Sequence, residues 1–388
     1  MNVFIASEKE IKEGLTTDVY FTRTEEILKK KGINNNVVAD FTVQGLKYPW
    51  GVFVGLPEVI EVLEGKNVSL YALPEGSIFT ARDVRGYPVP VMVIEGPYLE
   101  FARFETPILG FICEASGIAT KAARLRKIAK DKSLLSFGIR RMHPAIAPMI
   151  DRSAYIGGCD AVSSLIGAST IGKPPTGTIP HALIINMGGI VEAVKAFDEI
   201  IDPSVPRLAL VDTFQDEKFE SLLAAQTIGK HLYGVRLDTP GSRRGNIVDI
   251  AREVRWELDL RGFDHVKILV SGGLDEETVQ QLVESGVVDG FGVGTSISNA
   301  DTIDFAMDIV EVNGTSIAKR GKYSGRKKVY KRFENGKVIY EVKKNDETGI
   351  GTEALVPIIL NGKVVYENKT PEEIRNFVLE QLAQIEEI

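Results

Sequence analysis

The chain has 388 residues, 46 Lys and Arg against 53 Asp and Glu, and a formal net charge of −7. Hydrophobic residues at 44% and charged residues at 26% exclude a disordered, fibrous or collagen-like chain, and the acidic balance argues against a nucleic-acid coat. Two cysteines, Cys113 and Cys159, exclude a disulfide framework and a multi-cysteine zinc site, and the length favours two domains.

The opening MNVFIASEKEIKEGL lacks a charged segment followed by an apolar one, and no apolar run reaches the ~18 residues of a membrane span. A soluble cytoplasmic protein without signal peptide or membrane contact is expected.

Residues 1–114 read as a β-rich N-terminal domain. VVADFTVQ (37–44), VSLYALPEGSIF (68–79) and VPVMVIEGPY (89–98) are β-branched or aromatic runs bounded by Gly and Pro, as in an antiparallel sheet.

Residues 115–310 alternate short apolar runs with amphipathic stretches. The runs are LLSFGIR (134–140), HALIIN (181–186), RLALVDTF (207–214), YGVRLD (233–238), VKILVSGG (266–273) and VDGFGVGT (288–295), with a weaker one near GCDAVSS (158–164). Between them lie helices at 190–201, 217–230 and 246–260, and one capped by Asp275 and stopped by Gly286. Repeated β-α units with continuously apolar strands predict a parallel sheet in an α/β barrel. The segment is shorter than the ~250 residues of a full barrel, so an incomplete or irregular one is expected.

Residues 311–388 return to β character. Asn335-Gly336 and Asn361-Gly362 sit between β-type runs and predict hairpins, and TPEEIRNFVLEQLAQ (370–384) predicts a helix capped by Thr370. This C-terminal segment is expected to pack with the N-terminal one as a single β-rich α+β domain, with the barrel inserted between them.

Barrel active sites lie at the C-terminal ends of the strands. Those ends carry Arg140, Arg141 and His143; His181, in GTIPH; Asp212, Thr213 and Asp216; Arg236 and Asp238; Ser271, Gly272 and Gly273; and Gly294, Thr295 and Ser296. SGG and GVGTS are glycine-rich turns on adjacent late strands. They either make tight βα turns or let backbone N–H groups approach a phosphate. Asp212 and Asp238 suit structural ion pairs, ribose hydroxyls or Mg²⁺. Arg140 and Arg141 suit structural carboxylates or an anionic ligand held by a guanidinium fork. Phe137 suits the core or a flat ring stacked on it. No Walker A motif, Rossmann fingerprint or His/Cys metal cluster is present. The segment 319–344 holds 11 Lys or Arg and two Glu, so it reads as a solvated hairpin, a phosphate funnel or, least of all, an RNA strip.

TDVYFTR (17–23), SFGIRRMHP (136–144), GTIPHALI (177–184), VDTFQDE (211–217), GVRLDTPGS (234–242), SGGLDEE (271–277) and GVGTS (292–296) follow one another in this order. Together they resemble nicotinate phosphoribosyltransferase of the compact archaeal kind, a type II phosphoribosyltransferase. The resemblance implies an irregular α/β barrel joined to a β-rich domain. It implies joining of nicotinate to 5-phosphoribosyl 1-pyrophosphate (PRPP), with Mg²⁺ assisting and ATP as co-substrate. Phe137 and Arg140 would hold nicotinate, and Tyr20 would cover the ring from a partner subunit of a homodimer or larger homo-oligomer. Asp212, Arg236 and Asp238 would bind the phosphoribosyl part. Arg141, Ser271, Gly272, Gly273, Gly294 and Thr295 would take phosphate. His181 would be transiently phosphorylated.

Three departures stand out. Ile139 stands where the family often has Thr, Ala182 follows GTIPH, and no cysteine after Cys159 remains for a zinc element. The nearest rival is quinolinate phosphoribosyltransferase, whose chains are shorter and lack the GTxxH pattern. A reading of another class is a phosphosugar- or RNA-binding module built on the basic strip.

Overall fold

The computed structural model describes residues 4–243 and 245–388, so the first three residues of the stretch read as leaderless lie outside it. The chain divides into two compact units, Met1–Thr120 with Asp301–Ile388, and Lys121–Ala300. Among the described residues no helix is long and apolar enough to cross a membrane.

The first unit is built on a seven-stranded antiparallel sheet that interleaves both ends of the chain. Asn36–Val43 lies between Met92–Pro97 and Phe305–Val312, and Ser69–Ala72 pairs with Val356–Leu360. The run 68–79 breaks into Ser69–Ala72 and Ile78–Phe79, because the chain turns at Gly76 with φ +84°. Both Asn-Gly pairs adopt left-handed backbone, with φ 51° and 69° at Asn335-Gly336 and 49° and 81° at Asn361-Gly362. The first of them joins Lys327–Glu334 to Lys337–Lys344. Helix Pro371–Leu382 starts in a Thr370–Glu373 capping box, and its buried Gln381 accepts from Ile78 N at 3.0 Å.

Register explains the basic strip. Asp40 and Asp308 face each other across Asn36–Val43 and Phe305–Val312, an arrangement of like charges that opposes pairing. Lys327 binds Asp40 at 2.6 Å, and Lys319 and Lys322 bind Asp308 at 2.6 Å each. Arg326 reaches Glu95 at 2.7 Å, and Arg332 and Lys343 share Glu341. Much of the strip therefore neutralises carboxylates of its own unit.

Among the described residues the second unit holds six parallel strands: β1 (Ser133–Ser136), β2 (Ala161–Val162), β3 (Arg207–Leu210), β4 (Leu232–Leu237), β5 (Lys267–Ser271) and β6 (Gly290–Val293). Their order is β2-β1-β6-β5-β4-β3. The first and last strands of a barrel, β1 and β6, do pair, but β2 and β3 remain open edges. The sheet is thus a curled, incomplete barrel. Helices Ile190–Ile200, Glu217–Ile228, Ile247–Leu260 and Glu276–Ser285 lie where the sequence placed them.

One run is corrected. HALIIN is not a strand but part of helix His181–Met187, which ends at Gly188 with φ 85°. Asn186 donates to Ala182 O at 2.7 Å, and the segment has no strand pairing of its own. LLSFGIR is also shorter as a strand than expected. β1 ends at Ser136, and Ile139–Arg141 form a 3₁₀ turn.

Candidate active site

The polar ends of β3, β4 and β5 converge. Asp212, just beyond β3, is half-enclosed; its Oδ2 accepts from Thr239 Oγ1 at 2.7 Å and from Asp238 N at 3.1 Å. Its Oδ1 is buried without a hydrogen-bond partner, and burial pushes its carboxyl above the usual range. Asp238 follows β4. Its Oδ1 accepts from Ser271 Oγ at 2.6 Å, and its Oδ2 lies 3.7 Å from the Arg236 guanidinium.

His181 stands over both acids. Its Nε2 is 3.7 Å from Asp212 Oδ1 and 3.9 Å from Asp238 Oδ2, and its Nδ1 is 3.0 Å from Thr213 Oγ1. The correction of HALIIN to a helix therefore leaves the histidine at the site, as the first residue of a helix rather than the lead of a strand. The imidazole, two carboxylates and one guanidinium form one contiguous polar patch.

Phe137 lies beside this patch. Its N–H donates to Val293 O at 2.8 Å, which joins the residue after β1 to the end of β6. Its ring packs against Leu135, Leu208 and Leu269, with the Arg236 guanidinium 5.9 Å from the ring centre. The ring fits only because Gly292 has no side chain: a Cβ there would lie 2.6 Å from Phe137 Cε2. Burial lowers the Arg236 pKa, Asp238 and Asp212 oppose that shift, and Arg140 adds to it. The Arg236 Nε is buried without a partner. Arg140 and Arg141 are exposed at the 3₁₀ turn.

The two glycine turns sit on neighbouring strands, β5 and β6. Gly272 and Gly273 have φ +85° and +70°, and a Cβ on Gly272 would lie 2.7 Å from Asp238 O. Gly272 thus lets β5 pass close to the backbone of Asp238. Gly294 precedes the short helix Thr295–Ser298. Ser271 is buried with its hydroxyl on Asp238, while Gly273 and Thr295 are exposed.

Tyr20 belongs to the first unit, in the opening turn of Val19–Lys30. It is 56% exposed and 3.4 Å from Asp18 Oδ2. Asp216 caps Glu217–Ile228 by accepting from Phe219 N at 2.9 Å. His143 caps a 3₁₀ turn through Ala145 N.

Sequence reasoning missed Thr239 and Glu220. Glu220 is 1% exposed and accepts from the N–H groups of Thr213, Phe214 and Gln215 at 2.9, 2.8 and 3.2 Å. A glutamate four residues past a helix cap carries no sequence signal of that role. Among the described residues no group of three or more His, Cys, Asp or Glu is placed to hold a metal ion.

Family models described as quinolinate phosphoribosyl transferase, N-terminal domain and C-terminal domain, match residues 18–116 and 118–308. The chain is 30% identical over 342 residues to nicotinate phosphoribosyltransferase pncB2 of Mycobacterium tuberculosis, covering 83% of this chain and 70% of that one. It is 52% identical to a nicotinate-nucleotide pyrophosphorylase from Pyrococcus furiosus, with TM-score 0.92 over 99% and 98% of the two chains. Human nicotinic acid phosphoribosyltransferase shares the fold at 19% identity, with TM-score 0.77 over 95% of this chain.

Proposed function

The chain belongs to the nicotinate phosphoribosyltransferase family, and we infer that it joins nicotinate to PRPP, giving nicotinate mononucleotide and pyrophosphate. The observation that carries this reading is the meeting of His181, Asp212, Asp238 and Arg236 beside Phe137, at the ends of adjacent parallel strands.

The pyridine nitrogen of nicotinate is the nucleophile, so the site needs no strong general base. Its task is to align two substrates and to stabilise charge as pyrophosphate leaves the ribose. Asp238 and Asp212 suit the ribose hydroxyls and the positive character that grows on the sugar. Phe137 offers a ring face, and Arg140 and Arg236 are the cations at hand for the nicotinate carboxylate. Gly272, Gly273, Gly294 and Thr295, with Arg141, suit the phosphate groups.

Asp212 Oδ1, buried and unpartnered, and Asp238 Oδ2 fit Mg²⁺, which takes one or two carboxylates together with substrate phosphates. When bound, the ion neutralises charge on the departing pyrophosphate. ATP is the proposed co-substrate. Its γ-phosphoryl group would move to His181, forming a phosphorus–nitrogen bond and releasing ADP. A homodimer in which Tyr20 closes the ring site of the partner completes the reading.

A second reading, quinolinate as substrate with loss of CO₂, is favoured by the name of the Pyrococcus furiosus structure and by the family models. The test incubates the protein with PRPP, Mg²⁺ and either nicotinate or quinolinate. Nicotinate mononucleotide from nicotinate supports the first reading. CO₂ release from quinolinate with no turnover of nicotinate replaces it with the second.

A further inference from the structure

We propose that the hydroxyls of Thr239 and Ser271 are paired positioning groups. Each ties down one oxygen of a site acid, so that the other oxygens of Asp212 and Asp238 turn toward one divalent cation. This rests on the reading of both acids as Mg²⁺ ligands.

The pattern of bonds shows which way each carboxylate is held. Both hydrogen bonds to Asp212 fall on the same oxygen: Oδ2 accepts from Thr239 Oγ1 at 2.7 Å and from Asp238 N at 3.1 Å. Oδ1 has no hydrogen-bond partner, although the side chain is only 4% exposed. A buried acceptor left bare costs free energy, so a fold that gathers both donors on the other oxygen keeps this one open for a ligand. Asp238 repeats the arrangement. Its Oδ1 accepts from Ser271 Oγ at 2.6 Å, and its Oδ2 is 3.7 Å from the Arg236 guanidinium. The two oxygens that no hydroxyl holds lie on one side of the site: Asp212 Oδ1 is 3.7 Å and Asp238 Oδ2 3.9 Å from His181 Nε2. Each acid is pinned at its far oxygen, and the near oxygens share one space.

Local structure explains why these two hydroxyls can do this. Val270 pairs with Leu237, and Gly272, lacking a side chain, lets the end of β5 close on the backbone of Asp238. Ser271, between them, is 3% exposed, and its one proton goes to Asp238 Oδ1 rather than to Leu237 O at 3.4 Å. That spends the hydroxyl that the sequence offered to phosphate. Thr239 precedes Pro240, which biases its backbone toward an extended conformation and narrows where its hydroxyl can point. Among the described residues no third His, Cys, Asp or Glu joins the two acids as a metal group. Two carboxylate oxygens suit Mg²⁺, which takes its remaining ligands from water and substrate phosphates. Groups that orient a metal's ligands matter nearly as much to affinity as the ligands themselves.

The test is calorimetry of PRPP binding to the full chain, at a series of Mg²⁺ concentrations and in EDTA. Thr239→Val keeps the shape and removes the hydroxyl, and Ser271→Ala removes only the oxygen. Each should raise the Mg²⁺ concentration for half-maximal PRPP affinity about tenfold, as for other groups that orient a metal ligand, and leave affinity in EDTA within about twofold. Thr239→Ser should restore the wild-type Mg²⁺ dependence. Thr239→Ala stands in if valine disturbs the fold, as judged by circular dichroism. A merely structural role would lower the melting temperature without moving the Mg²⁺ midpoint, and folded variants with the wild-type midpoint would overturn the proposal. So would a Ser271→Ala loss of equal size in EDTA, which would return that hydroxyl to the phosphate. Asp212→Asn and Asp238→Asn separate the proposal from the reading beneath it. If neither moves the midpoint, the acids do not hold Mg²⁺. Sensitive acid variants beside insensitive hydroxyl variants remove the positioning role alone.

Discussion

Gly292→Ala isolates the contribution of the Phe137 ring. The new methyl carbon would lie 2.6 Å from Phe137 Cε2 and 2.7 Å from Cδ2. Carbon atoms settle at about 3.5 Å or more, so the ring must retreat by roughly 0.9 Å. The backbone of Phe137 is held by Val293 O at 2.8 Å, so the retreat falls on the side chain. Gly292 does not have left-handed backbone, and the substitution adds no backbone strain. Overpacking of this kind costs about 1–3 kcal/mol of stability, which the fold should survive. A displacement near 1 Å at a reacting centre can cost up to about 100-fold in rate. We expect kcat/KM for nicotinate to fall at least about tenfold, while PRPP affinity by calorimetry stays within about twofold. A folded variant with the wild-type nicotinate KM and kcat would refute the idea that this ring positions the substrate.

Other perturbations test separate parts of the site and fold. Arg140→Ala should remove about 1.5–3 kcal/mol of transition-state stabilisation for nicotinate and leave PRPP binding intact; full activity would dismiss it as the carboxylate partner. Gly294→Val finds room in the fold, its nearest neighbour being Phe137 O at 3.7 Å from the new Cβ, and should abolish PRPP binding. Mixing inactive Tyr20→Ala and Gly294→Val proteins should restore activity through hybrid dimers, and confirmed hybrids without activity would place each site within one chain. Burial brings Lys331 down to about 7 from 10.5 in the open chain. Between those values the unfolded chain holds a proton that the native one lacks, so this group adds stability as pH rises from about 7 to 10.5 and nothing further below 7. Lys331→Met should flatten that rise in a melting-temperature profile, and parallel profiles would count against it.

Elements bounded by strong local signals could be read from sequence. Asn335-Gly336 and Asn361-Gly362 made hairpins because Asn and Gly tolerate left-handed backbone. Asp275 and Gly286 bounded their helix as expected, with Asp275 accepting from Thr278 N at 2.8 Å. HALIIN misled because its four consecutive apolar residues, 182–185, are too short a run to have a decisive periodicity. In the helix that contains it, Ile185 and Met187 are 57% and 39% exposed, a placement that hydropathy alone does not suggest. Composition registered the charge of 319–344 but not the opposition of Asp40 to Asp308, which depends on strands far apart in sequence. Asp212 and Asp238 were legible as residues at strand ends, whereas His181, read as leading a strand, is the first residue of a helix. Glu220 was not legible, because its role arises only when the loop folds back over its own helix.

The interleaved sheet of the first unit constrains how this chain can be made. Val43 must meet Phe305, more than 260 residues later, before Asn36–Val43 gains its second neighbour. During synthesis the N-terminal strands wait, with an unpaired edge and apolar faces, while Lys121–Ala300 emerges as one continuous piece. Contacts of such long range make assembly slow and leave the waiting strands prone to pairing with other chains. The second unit can be gathered from consecutive sequence. The sheet of the first unit is completed only by strands that leave the ribosome after it.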